Sequence, residues 1–130
     1  MAIINRKNIT AFDRKNYIIS VRKDKIYFSG VVCEKFKLIH GGYIMFNNDG
    51  DHWSFWATDD PDGFRLSSEG KNQIGLSVPN TALTRLFHNS LQRKIPVPSS
   101  FYVQETNSQI DGFPVAEILT KKTVDEMGKE

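Results

Sequence analysis

Alternation of hydrophobic and polar positions marks strands in two separate parts of the chain, 17–58 and 64–119. Each part begins with an alternating strand and continues into a segment whose apolar residues lie three or four apart. It then ends in two strands joined across an Asp-Gly pair. A period of two is typical of strands, and a spacing of three to four is typical of helices. The pattern therefore predicts two copies of a strand-helix-strand-strand unit.

Capping and turn residues predict where these elements begin and end. Ser29 is a good N-cap, because a short polar side chain can accept a hydrogen bond from a free amide at a helix start, and Val78-Pro79-Asn80-Thr81 is a good entrance to the second helix. His40-Gly41-Gly42 is a stop signal for the first helix, since glycine readily adopts the left-handed conformation. Asp49-Gly50 lies between two aromatic-rich runs and predicts a type I′ hairpin turn.

One unit of this kind cannot bury its apolar face alone, so the two copies should close on each other. We therefore predict a mainly β protein with two short helices, folded as a pseudo-two-fold barrel. The whole chain, 1–130, should form one domain. We expect residues 1–15 to be a polar arm and residues 121–130 to be a charged tail, both frayed.

Charge is unevenly distributed along the chain, although the net charge is only +2. Residues 1–40 carry nine Lys/Arg and three acidic residues, whereas residues 41–70 carry one Arg and six acidic residues. This imbalance predicts a polarised surface if the fold separates the two segments.

Composition also indicates the cellular compartment. Cys33 is the single cysteine, which excludes an internal disulfide and fits a reducing environment. No apolar run approaches the roughly 20 residues of a membrane span. We therefore expect a soluble, cytoplasmic protein without membrane association.

The first unit resembles a known DNA-binding pattern over about residues 18–57. Ile19–Phe28 supply a strand, a polar turn and a second strand; Glu34–Leu38 supply a short helix; and Gly41–Phe46 supply a glycine step and a further strand. This order resembles the AbrB/MazE swapped-hairpin pattern, which belongs with the cradle-loop and double-psi barrels. The resemblance implies a barrel made of two fused copies.

The same resemblance implies a non-catalytic DNA-binding protein, either a transcription regulator or a mobile-element factor, with double-stranded DNA as its partner. In that family, basic residues of the first strand and its turn contact DNA, and Arg22, Lys23 and Lys25 occupy the matching positions. Lys35 and Lys37 would then be neighbouring phosphate contacts. The alternative for all of these residues is a solvated strand edge on which lysines prevent edge-to-edge pairing.

A second hypothesis is a protein- or peptide-binding barrel without nucleic-acid activity. Trp56 alternates to the face opposite Trp53, and the connector around Ile95 and Val97 is apolar. Together these side chains could form a surface for a protein partner or for a second copy in a homodimer.

We expect neither a cofactor nor a metal, and we find no catalytic motif. The aspartates of 49–62 do not match the ligand positions of a calcium loop and suit turns instead. The three histidines are scattered without zinc-site spacing. The sequence therefore favours a non-enzymatic protein, and a deep pocket that holds a titratable pair would argue for an enzyme instead.

Overall fold

The computed structural model describes residues 17–68, 75–91 and 93–125. The predicted arm, 1–15, and residues 126–130 of the predicted tail lie outside them. Nine strands and two helices have both ends within the described residues. In chain order they are β1 Tyr17–Val21, β2 Ile26–Phe28, α1 Gly30–Lys35, β3 Tyr43–Asp49, β4 His52–Thr58, β5 Phe64–Arg65, β6 Ser67–Ser68, β7 Leu76–Val78, α2 Thr81–Ser90, β8 Ser99–Ile110 and β9 Phe113–Ile118.

The strands form one antiparallel sheet in the order β5-β3-β4-β9-β8-β1-β2-β7-β6. Its outermost strands, β5 and β6, are separated along the chain only by Leu66. The Leu66 amide donates to the Gly42 carbonyl at 2.8 Å, and the Gly41 amide donates to the Leu66 carbonyl at 2.8 Å. The chain itself therefore joins the two edges, and the sheet is a nearly closed barrel.

The two halves of the chain use the same order of elements, which confirms the predicted fold. β1-β2-α1-β3-β4 corresponds to β5/β6-β7-α2-β8-β9. Corresponding strands meet in antiparallel pairs, with Tyr27 opposite Ser77 between β2 and β7, and Ser54 opposite Glu117 between β4 and β9. Antiparallel pairing of equivalent strands is what an approximate two-fold axis requires, so the barrel is pseudo-two-fold.

Aromatic side chains fill the interior of the barrel. The Phe28 and Phe55 rings meet edge to face with centroids 5.3 Å apart, and Phe87 meets Phe101 in the same way at 5.3 Å. Edge-to-face packing matches the positive edge of one ring to the negative face of the next. Buried Trp53 donates its indole N–H to Ser90 Oγ at 2.7 Å, which fixes α2 to β4.

The predicted end of the first helix is wrong. The helix stops at Lys35, with Phe36 as C-cap, and Lys37 takes the left-handed conformation with φ of 62°. The Leu38 amide then donates to the Cys33 carbonyl at 2.9 Å, which is the long bond of a Schellman motif. Burial of Leu38 in the core stabilises this earlier turn, although lysine has no intrinsic preference for it.

The predicted turn type of the first hairpin is also wrong. The two loop residues between β3 and β4 are Gly50 and Asp51, and only Gly50 has positive φ, at 66°. Positive φ at the first loop position alone fits a type II′ turn. In the second hairpin, Asp111 and Gly112 have φ of 53° and 84°, so the type I′ turn occurs there.

Candidate nucleic-acid interface

The directions of the strands place the connecting segments at two opposite ends of the barrel, with helix α1 at one end and helix α2 at the other. We call them the α2 end and the α1 end. The α2 end consists of 22–25, 50–51, 81–91, 93–98 and 119–125; the α1 end consists of 29–42, 59–63 and 111–112.

The two ends carry opposite charge. Among the described residues, the α2 end has eight Lys/Arg and three Asp, whereas the α1 end has two Lys and five acidic residues. The basic residues of the α2 end are Arg22, Lys23, Lys25, Arg85, Arg93, Lys94, Lys121 and Lys122. The acidic residues of the α1 end are Glu34, Asp59, Asp60, Asp62 and Asp111. A surface divided in this way has a positive potential at one end only.

The turn between β1 and β2 is fixed against helix α2. The Arg22 amide donates to the Lys25 carbonyl at 2.8 Å and closes the turn. Thr84 Oγ1 of α2 donates to the Lys23 carbonyl at 2.7 Å. The backbone of the turn is therefore bonded on its inner side, while the Lys23 side chain is exposed to solvent.

Arg22 is held over an aromatic ring on the outer face of β2. Its guanidinium carbon lies 5.6 Å from the centroid of the Tyr27 ring, within the range of a cation–π contact. Tyr27 in turn packs on Gly75, where any side chain would collide with the ring. This stacking restricts the long Arg22 side chain before any partner binds.

His88 lies beneath the same turn. Its Nε2 atom is buried and has no hydrogen-bond partner, and its ring is bonded to the backbone of Arg22. Burial lowers the pKa of His88 below 6.5, and the hydrogen bond to Arg22 only partly opposes this. A neutral imidazole therefore supports the basic turn at neutral pH.

The structure does not bring together all five predicted DNA contacts. Arg22, Lys23 and Lys25 share one turn, but Lys35 and Lys37 lie at the α1 end. Strand β1 separates the two groups by roughly 13 Å, at about 3.3 Å per residue. Lys35 forms an ion pair with Glu105 at 2.9 Å, and the hydrogen bond to that carboxylate raises the pKa of Lys35.

Five further basic residues join the α2 end and were missed by the sequence analysis: Arg85, Arg93, Lys94, Lys121 and Lys122. Arg93 Nη2 donates to the Lys121 carbonyl at 2.9 Å, although 27 residues separate the two in the chain. Of the predicted tail, the structure describes 121–125, and Thr123 there is buried. Charge alone could have indicated these residues, but only the barrel shows that they share an end with Arg22.

The predicted apolar interaction surface does not form as one patch. Trp56 is half-buried on the outer face of β4, opposite Met45. Val97 is exposed in the α2–β8 connector, and Ile95 of the same connector packs partly against the core. Strand β9 lies between β4 and β8, so Trp56 belongs to a different part of the barrel from Val97.

The described residues also bear on metal binding and catalysis. They contain no group of three or more side chains that could hold a metal ion. Burial raises the pKa of the Cys33 thiol to about 11, so this cysteine is not an activated nucleophile. A cleft of about 400 Å³ opens at the α2 end, and its titratable groups include Asp51 and His52, which are 3.8 Å apart on the surface. None of the helices among the described residues is long and apolar enough to cross a bilayer.

No protein-family model, curated protein or solved structure matches the chain.

Proposed function

We propose that the protein binds double-stranded DNA through its α2 end without catalysing a reaction, as a transcription regulator or a mobile-element factor. The observation that carries this proposal is the separation of charge between the two ends, with eight Lys/Arg and three Asp at the α2 end. Cations that share one end of the barrel can neutralise several phosphates of one duplex and release their counterions.

The β1–β2 turn is the centre of the proposed site. Its backbone is bonded to α2 through Thr84, and Arg22 is restrained by the Tyr27 ring. Fixing these groups before binding reduces the conformational entropy lost in the complex. If Arg22, Lys23 and Lys25 each contact one phosphate, the logarithm of the binding constant should fall with the logarithm of the salt concentration with a slope of roughly −3.

The composition of the α2 end favours a duplex over a single strand. Proteins that bind single strands present aromatic side chains on which bases stack. In the described segments of the α2 end, the one Phe, Tyr or Trp is Phe87, which is fully buried. Contacts from this end would therefore go mainly to the phosphate backbone. Any contact with base edges would be made by arginine and lysine side chains.

The resemblance of residues 18–57 to the AbrB/MazE swapped-hairpin pattern also supports the proposal, because the matching turn contacts DNA in that family. The function would place the protein in the cytoplasm, as the single Cys33 leads us to expect.

The test is a comparison of two charge-matched double variants. R22Q/K23Q and K35Q/K37Q each remove two positive charges, one pair at each end. Binding to a random-sequence duplex is followed by fluorescence anisotropy over a range of salt concentrations. We expect R22Q/K23Q to lose about tenfold in affinity and to reduce the salt slope by about 2, while K35Q/K37Q stays within about twofold of the wild type.

Two results would contradict the proposal. Equal losses in both variants would mean that net charge, rather than the α2 end, governs binding. If the wild-type protein does not bind the duplex even at low salt, DNA binding itself is refuted. Circular dichroism of both variants checks that the fold is retained.

A further inference from the structure

Among the described residues, the large exposed hydrophobic side chains lie at the two ends of the barrel or next to them. Among the described residues, four large hydrophobic side chains are exposed: Ile39 at 67% and Ile110 at 38%, with Leu86 at 52% and Val97 at 51%. The first two lie at or next to the α1 end, and the last two lie at the α2 end. Any one of them would be ordinary on a protein surface. Ile110 ends strand β8 beside the turn of the α1 end, so each end has exposed aliphatic side chains in it or next to it, as surfaces that meet a partner do.

At the α1 end, an apolar side chain lies beside acidic residues. Ile39 and Asp59 line the same recess of about 50 Å³, and Lys37 lines it too. The Gly42 amide donates to the Ile39 carbonyl at 3.0 Å, which holds the loop that exposes Ile39. Asp60 Oδ1 accepts from the Asp62 amide at 2.9 Å, which orders the acidic turn.

At the α2 end, apolar side chains lie beside cations. Ser99 pairs with Val21, so Val97 comes close to the turn that begins at Arg22. Leu86 follows Arg85 on the exposed face of α2. The two ends therefore present the same combination, an exposed aliphatic group next to charge, with opposite signs.

We infer that copies of this chain associate head to tail, with the α1 end of one copy against the α2 end of the next. Opposite charges attract across such a contact, whereas two α2 ends or two α1 ends would repel each other. Charge thus opposes a symmetric dimer through either end. A head-to-tail contact leaves one end of each kind free, so association continues into an open chain unless the rotation closes a ring.

This inference goes beyond DNA binding, and it makes a second prediction about the α2 end. DNA and the next copy of the chain would use the same basic residues. A duplex should therefore dissociate the assembly.

The test is sedimentation velocity of two variants, alone and mixed. D59N/D62N neutralises the α1 end and leaves the turn-forming Asp60 intact; R22Q/K23Q neutralises part of the α2 end. We expect the wild type to associate as concentration rises at low salt, and to dissociate at high salt. Each variant alone should associate about tenfold more weakly, because two exposed ion pairs are lost.

The mixture gives the deciding result. Each variant retains one intact end, so an equimolar mixture should form one-to-one pairs through the two intact ends and extend little beyond them. A wild type that remains monomeric at low salt, or a mixture that associates no better than its components, would overturn the inference. D59N/D62N should bind DNA as the wild type does, so loss of self-association and loss of DNA binding can be told apart.

Discussion

Helices α1 and α2 occupy equivalent places in the two halves of the barrel, and their buried sides are built alike. Each buries two apolar residues four apart, Val32 with Phe36 at α1 and Leu83 with Phe87 at α2. Their exposed sides differ completely, since α1 carries Glu34 and Lys35 where α2 carries Arg85 and Leu86. Burial thus preserves the shared architecture, while the solvent-facing positions are free to differ, and most of the charge that distinguishes the two ends lies in the loops beside the helices.

The largest expected effect tests whether the two helices are equally important for the core. Phe36 and Phe87 are both fully buried. Phe36→Ala and Phe87→Ala each leave a cavity in the aromatic core and should each lower the free energy of unfolding by about 3–5 kcal/mol. Urea denaturation followed by tryptophan fluorescence measures both losses. If one variant keeps nearly all of its stability, the two helices are not equivalent in the core.

A smaller effect should distinguish the two N-caps. The Asn80 side chain accepts from the Leu83 amide at 2.9 Å, and Ser29 Oγ accepts from the Val32 amide at 3.4 Å. Asn80→Ala should therefore cost about 1 kcal/mol, and Ser29→Ala about half as much, because a longer bond is weaker. The same denaturation experiment measures both. A larger loss from Ser29→Ala would show that distance does not decide the strength of the cap.

The smallest expected effect is a pH dependence of stability, and it comes from His88 of helix α2. Burial lowers the pKa of His88 in the folded protein, so in acid the unfolded chain takes up a proton first. Stability should therefore fall as pH drops below about 6.5, the ordinary value, and stop falling once His88 is protonated in both states. The control is His88→Gln, which cannot titrate and retains an amide donor for the Arg22 carbonyl. We expect its thermal unfolding to depend less on pH over this range, and an unchanged dependence would assign the loss to other groups.

Local pattern predicted the elements of this fold better than their ends. The alternation of Ile26 and Phe28 indicated β2, and Ser29 indicated the start of α1, because both signals act over a few residues. Lys37 in the left-handed conformation could not be predicted, since burial of Leu38 determines it. The closed barrel followed from the repeat as a whole.

The candidate site was predictable only in part. Arg22, Lys23 and Lys25 share a turn, which a local pattern can show. Lys35 is only ten residues from Lys25 in the sequence, yet it lies at the other end because β2 carries the chain from the α2 end to the α1 end. The proximity of Arg93 to Lys121 depends on the path of the whole barrel, and no local signal encodes it.

The passage of the chain through Leu66 has a consequence for how the barrel opens. In an open sheet, the outer strands can separate from their neighbours one backbone hydrogen bond at a time. Here the outermost strands are covalently continuous through one buried leucine that is bonded to Gly41 and Gly42. Hydrogen exchange at the Leu66 and Gly41 amides should therefore require global unfolding and proceed at the rate of the slowest core amides.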